Sequence, residues 1–212
     1  MDPDGLGPSN SCDDESSEDD VMADMGFMFD SEQAVVCKSL IFQRSVGENA
    51  CNSGIATLFK VYVELESIDD DPGAVQSGHY LWPASPALAQ HLVQLDTSSL
   101  LGGKNAIRVV ELGAGCGLGG CVAMQLPGVE SVMLTDHDPG CLDRARTNVQ
   151  KTKVKLLQEK ADLSGLDVDM SFELLSWGDT ENAENLLSKQ EIDGFHLVIG
   201  SDLIYDVGVV GM

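Results

Sequence analysis

A doubly wound (Rossmann-like) parallel α/β sheet is the fold class that this 212-residue sequence predicts. Two observations predict it. From Ile107 onward, short apolar strands alternate with helical segments over short connections, the pattern of right-handed strand-helix-strand crossovers. The first of these strands, "IRVVEL", also runs directly into the glycine-rich turn "GAGCGLGG", where sheets of this class bind ligands.

Residues 1–33 carry eleven acids and no Lys or Arg, so they are expected to form a disordered acidic tail. Such a tail serves as a solubilising leader or, alternatively, docks on a basic partner. Residues 34–75 form a small β region and linker. In it "AVVCKSLIF" and "IATLFKVYVELES" read as strands, the second carrying Leu58, Val61, Val63 and Leu65 among polar neighbours. "IDDDPGAVQSG" is the linker. Residues 76–212 make up the main domain. Its first helix is "ASPALAQHLVQL", with Leu88, Leu92 and Leu95 at helical spacing and Ser85 as expected N-cap. After "IRVVEL" come helix "GLGGCVAMQL", strand "SVMLTD", helix "PGCLDRARTNVQ" opened by Pro139, strand "SFELLSW", helix "TENAENLLSKQ" and strand "FHLVIGSD".

Composition removes several classes of function. A formal net charge of -23 leaves no basic footprint for nucleic acid. No apolar run approaches the ~20 residues that span a bilayer, and the first residues lack the basic and apolar parts of a signal peptide. The six cysteines form no Cys-x-x-Cys and no paired spacing with the four histidines, so neither a zinc site nor a disulfide framework is expected. A reduced, intracellular, monomeric protein is expected, in the cytoplasm or the nucleus.

The glycine turn specifies the ligand further. Gly113, Gly115 and Gly117 permit a tight turn and close approach of backbone to a ligand, with the next helix directing its first amides there. Counted from Gly113, the third glycine of a dinucleotide fingerprint falls on Leu118, and the match is lost. Glu111, two residues before Gly113, suits a ligand with an ammonium better than a pyrophosphate. S-adenosyl-L-methionine carries an ammonium and a sulfonium and no phosphate. Asp136, at the end of the next strand, is placed to accept hydrogen bonds from ribose hydroxyls, with Asp138 its local competitor. That role fits either cofactor, so an NAD(P)-dependent oxidoreductase stays open as an alternative.

The segments "VVELGAGCGLGG", "LTDHD", "LSWGD" and "SDLIYD", with "GHYLWPASPALAQHL" upstream, resemble methyltransferase family 16, which contains small seven-strand protein-lysine methyltransferases. The resemblance covers about residues 78–206. It implies the class I methyltransferase fold, S-adenosyl-L-methionine as cofactor and transfer of a methyl group to a lysine of a protein substrate. It further implies cofactor contacts at Gly113, Ala114 and Gly115, a ribose acid at Asp136, and Trp177 beside the adenine. Trp82 and Ser201 also match cofactor positions, while Asp202 and Tyr205 match the catalytic Asp-x-x-Tyr. Family members continue beyond that motif, so the resemblance implies a sheet lacking its last strands here. A non-catalytic module that keeps only the cofactor half is therefore the main alternative, and arginine, histidine or small-molecule acceptors are others.

Overall fold

The computed structural model describes residues 35–45, 57–66, 77–101, 106–159, 167–189 and 194–204. The acidic stretch 1–33, nearly all of the linker 68–78, and Tyr205 lie outside the described residues. An antiparallel hairpin comes first, β1 (Val35–Gln43) with β2 (Leu58–Glu66), in register from Val35 opposite Glu66 to Gln43 opposite Leu58. After a 3-10 turn (Ser77–His79) and helices α1 (Ala84–Gln94) and α2 (Ser98–Leu101), the alternating region begins. It runs β3 (Ile107–Glu111), α3 (Leu118–Ala123), β4 (Val129–Asp136), α4 (Pro139–Gln158), β5 (Asp169–Leu174), α5 (Thr180–Lys189) and β6 (Leu197–Ile199).

The four later strands form one parallel sheet in the order β5-β4-β3-β6. The chain moves outward from β3 through β4 to β5, then returns to β6 on the other side of β3. That reversal is the topological switch point at which doubly wound sheets bind ligands, beyond the carboxyl ends of the strands.

Period-2 alternation separates two cores. Ile107, Val109, Val132 and Leu134 are fully buried in the larger one, together with Leu118 and Val122 of α3, Ala145 and Val149 of α4, and Leu92 of α1. Val110 and Met133 join Leu186 of α5 in a smaller one. The hairpin belongs to the larger core through Phe59, Val61, Val63 and Leu65. Leu58 is exposed, contrary to the sequence reading, because it is one residue out of phase with that set.

Several boundaries also differ from expectation: β5 ends at Leu174, three residues before Trp177, and β6 spans only Leu197–Ile199. Ser85 lies inside α1, whose N-cap position is Pro83 with no side-chain cap; the Ala84 amide instead donates to Asp202 Oδ2, 3.2 Å away. Helix α4 continues eight residues past Gln150, through "KTKVKLLQ", where good helix formers meet no breaker.

Candidate functional site

A cavity of about 510 Å³ opens at the switch point. Each of the four parallel strands contributes residues at or just beyond its carboxyl end: Gly113–Cys116 after β3, Asp136–Asp138 from the last residue of β4, Leu175–Trp177 after β5 and Ser201–Leu203 after β6. The segment entering α1 closes it with Gly78, Tyr80, Trp82 and Ser85. Nine of the ten residues singled out from the sequence can be located. Trp82, Gly113, Ala114, Gly115, Asp136, Trp177, Ser201 and Asp202 line the cavity.

Glu111 is the ninth, and it is not among the lining residues. Its side chain turns beneath the glycine turn into the start of α3. Gly120 N donates to Glu111 Oε2 at 2.8 Å, and the Gly119 amide also donates to the carboxylate. A Cβ on Gly119 would collide with Glu111 Oε1, so consecutive glycines make room for this carboxyl. Burial pushes its pKa up to about 8, against the lowering effect of the two amides. The expectation that the first amides of α3 face a ligand is therefore corrected: Glu111 already occupies them.

The turn itself is built from left-handed backbone that glycine adopts without strain. Gly113 and Gly115 adopt φ of +57° and +51°. A Cβ on Gly113 would lie 2.8 Å from Leu203 Cδ2 and 3.6 Å from the Trp177 ring, while one on Gly115 would lie 2.9 Å from the Gly78 carbonyl oxygen. The bare backbone at these positions is a cradle that any side chain would fill.

Asp136 is buried and held from both sides. Its Oδ2 accepts from Gly115 N at 2.9 Å, and its Oδ1 accepts from Asp138 N at 3.1 Å. His137 Nδ1 also lies 3.2 Å from Oδ1, whereas Oδ2 keeps a further lone pair with which the fixed carboxylate can accept from a ligand. Asp138 caps α4, accepting from Gly140 N at 2.7 Å. Trp177 sits in a tight turn fastened by Asn182, whose Oδ1 accepts from Ser176 N at 3.2 Å and whose N donates to Asp179 Oδ1.

Asp202 has φ +54°, the sole positive-φ residue other than glycine among the described residues. Backbone in this region is disfavoured for a residue with a Cβ and is tolerated best by Asp and Asn. Strain of this kind concentrates where a side chain must be aimed. Here it aims a carboxylate at the cavity and at the amino end of α1 together.

Sequence reasoning passed over Tyr80, Cys116, Cys141, His137 and Leu203, which also line the cavity. Burial pushes the Cys116 thiol up to about 11, so it stays protonated. For Leu203 a signal existed in the fixed distance from the end of β6, but its contact with Gly113 is long-range. Taken together, the wall combines a glycine cradle and aromatic surface with the carboxylates Asp136, Asp138 and Asp202, and among the described residues no Lys or Arg lines it.

No curated protein matches the chain. The family model described as lysine methyltransferase, methyltransferase family 16, matches residues 64–211, from within β2 through the segment that follows β6. The β5-β4-β3-β6 parallel sheet with its glycine turn is the Rossmann-like core expected of that family. The match spans well over half of the chain, and the protein therefore belongs to the lysine methyltransferase family.

Proposed function

We propose that the cavity binds S-adenosyl-L-methionine and that the protein methylates a lysine side chain of a protein substrate. The observation that carries this reading is the charge of the wall. A phosphate-bearing dinucleotide seeks cationic side chains or free helix-end amides. Among the described residues this wall offers neither, because Glu111 takes the Gly119 and Gly120 amides and no Lys or Arg lines the cavity. A ligand with a sulfonium and an ammonium suits the carboxylates instead.

In this reading Gly113, Ala114 and Gly115 receive the methionine end of the cofactor, and Asp136 receives the ribose. Trp177, Trp82 and Ser201 surround the remainder. Bound cofactor supplies an activated methyl group and a leaving thioether. What the protein must supply is alignment and a neutral amine. A lysine amine has an ordinary pKa of ≈ 10.4 and arrives protonated. Asp202 accepts a hydrogen bond from that ammonium at the mouth and holds it in place. Desolvation in the cavity and the nearby positive charge then favour loss of the proton to solvent. Tyr205 remains a second candidate for this step.

The test is a methylation assay with isotopically labelled cofactor on a cell extract, read by mass spectrometry, alongside titrations of S-adenosylhomocysteine and NADPH. Label on protein lysines and binding of the homocysteine product alone are expected. Binding of NADPH, or label confined to arginine or small molecules, would overturn the reading. Once a substrate is known, Asp202→Asn is expected to lower turnover at least tenfold while leaving affinity for the homocysteine product within about twofold.

A further inference from the structure

A second constellation lies in the wall of the same cavity; of its members only Asp138 enters the reading above, as one of the wall carboxylates. His79, Asp138 and Cys141 each offer one ligand atom, and the three atoms lie within 4.8 Å of one another. They come from the 3-10 turn, the cap of α4 and the first turn of α4, so chain spacing gave no hint of them.

His79 is only 6% exposed, and its two ring nitrogens face different partners. Nδ1 lies 3.3 Å from Glu66 Oε1, and the same oxygen accepts from Arg144 Nη2 at 3.0 Å. Both ring nitrogens are buried and neither makes a hydrogen bond, so Glu66 stands beside Nδ1 without satisfying it and Nε2 has no partner at all. A Cβ placed on Gly140 would lie 3.4 Å from His79 Nε2 and 3.2 Å from Asp138 Oδ1, so both atoms converge over that glycine. The next residue is Cys141, whose thiol hydrogen-bonds to Asp138. A buried imidazole nitrogen without a partner is costly and calls for an explanation. An imidazole with one nitrogen set against a carboxylate and the other directed at a thiol and a second carboxylate has the outer-sphere arrangement of a metal ligand.

We propose that His79 Nε2, Asp138 and Cys141 Sγ form a zinc-type metal site, whose fourth position faces the cavity. One thiolate, one imidazole and one carboxylate suit a borderline ion such as Zn²⁺ or Co²⁺ and not Mg²⁺ or Ca²⁺. Bonds of about 2.0–2.3 Å imply edges of roughly 3.5 Å, so binding draws the most separated of the three atoms together by at most about an ångström. The ion replaces the thiol proton of Cys141, which leaves to solvent. Glu66 holds the imidazole from behind. With Asp138 and Cys141 both in the cavity wall, the bound ion adds positive charge there and opposes any cationic ligand in the cavity.

The test is titration of the full chain with Co²⁺, followed by displacement with Zn²⁺. One equivalent should produce tetrahedral d–d bands and a thiolate-to-metal charge-transfer band, both lost on addition of Zn²⁺. Cys141→Ser should abolish the charge-transfer band, and Cys37→Ser should leave it intact. Asp138→Asn keeps an oxygen to cap α4 and should weaken binding at least tenfold. Glu66→Gln should weaken it about 10–100-fold through His79. Far-UV circular dichroism checks that each variant folds; if Cys141→Ser does not, Asp138→Asn decides. No band at one equivalent, a band that survives Cys141→Ser, or wild-type affinity in Asp138→Asn would each overturn the proposal.

Discussion

At the scale of single residues, the cavity depends on positions where one added carbon or one changed atom separates structure from chemistry. Gly113→Ala places a Cβ 2.8 Å from Leu203 Cδ2 on a backbone with φ +57°. We expect a loss of about 1–2 kcal/mol from the left-handed conformation, seen in thermal melts. Affinity for S-adenosylhomocysteine should fall more than tenfold by calorimetry. Asp202→Asn behaves differently. Asn tolerates positive φ and still offers an oxygen to the Ala84 amide, so the variant should melt with the wild type while losing turnover. Much of this residue-level detail could be read from the chain. Gly113, Gly115 and Asp136 sit at strand ends, where local pattern dictates their place. Glu111 was misjudged because its direction depends on how closely α3 packs on β3. The doublet Gly119–Gly120 was the available clue, since adjacent glycines at a helix start mark a close approach.

At the scale of elements, β2 would be an unpaired edge along one side but for α4. Asn148 and Thr152, both fully buried, project from that helix onto the strand backbone. Asn148 Oδ1 accepts from Glu64 N at 2.7 Å, while its Nδ2 donates to Glu64 O and, at 2.8 Å, to Cys116 O. Thr152 Oγ1 accepts from Tyr62 N at 3.0 Å and donates to Tyr62 O at 3.1 Å. Side-chain amide and hydroxyl thus stand in for a neighbouring strand. Asn148→Ala takes the partner from one buried and two half-buried backbone groups and should cost about 2–3 kcal/mol, with faster hydrogen exchange at Glu64 as its local signature. This device was hidden in the sequence. Asn and Thr inside a helical pattern read as solvated positions until a strand is known to lie beneath them. That parallel strands alternate with helices along the chain, by contrast, followed from apolar runs and turn residues, whereas the spatial order of the strands and several of their ends did not.

At the scale of the whole molecule, one buried carboxyl gives the fold its own pH dependence. The pKa of Glu111 is raised from 4.5 to about 8 in the folded state. The folded chain therefore retains a proton that the unfolded chain loses between these values. Stability from this group is complete below about pH 4.5 and is lost as pH rises toward 8, with a slope of up to about 1.4 kcal/mol per pH unit. Denaturant melts across that range should show the decline, and Glu111→Gln should flatten it. An unchanged slope in the variant would assign the effect elsewhere.

The strand order has a consequence for synthesis as well. Ser201, Asp202 and Leu203, which close the cavity, follow β6, and β6 pairs with β3, about ninety residues earlier in the chain. A nascent chain that has emerged only as far as β5 holds the complete glycine turn and Asp136 but has no pocket. The ligand can first be held after the return strand has docked beside β3. On the proposed reading, a cofactor that binds only the completed cavity favours chains in which that strand has arrived over those in which it has not.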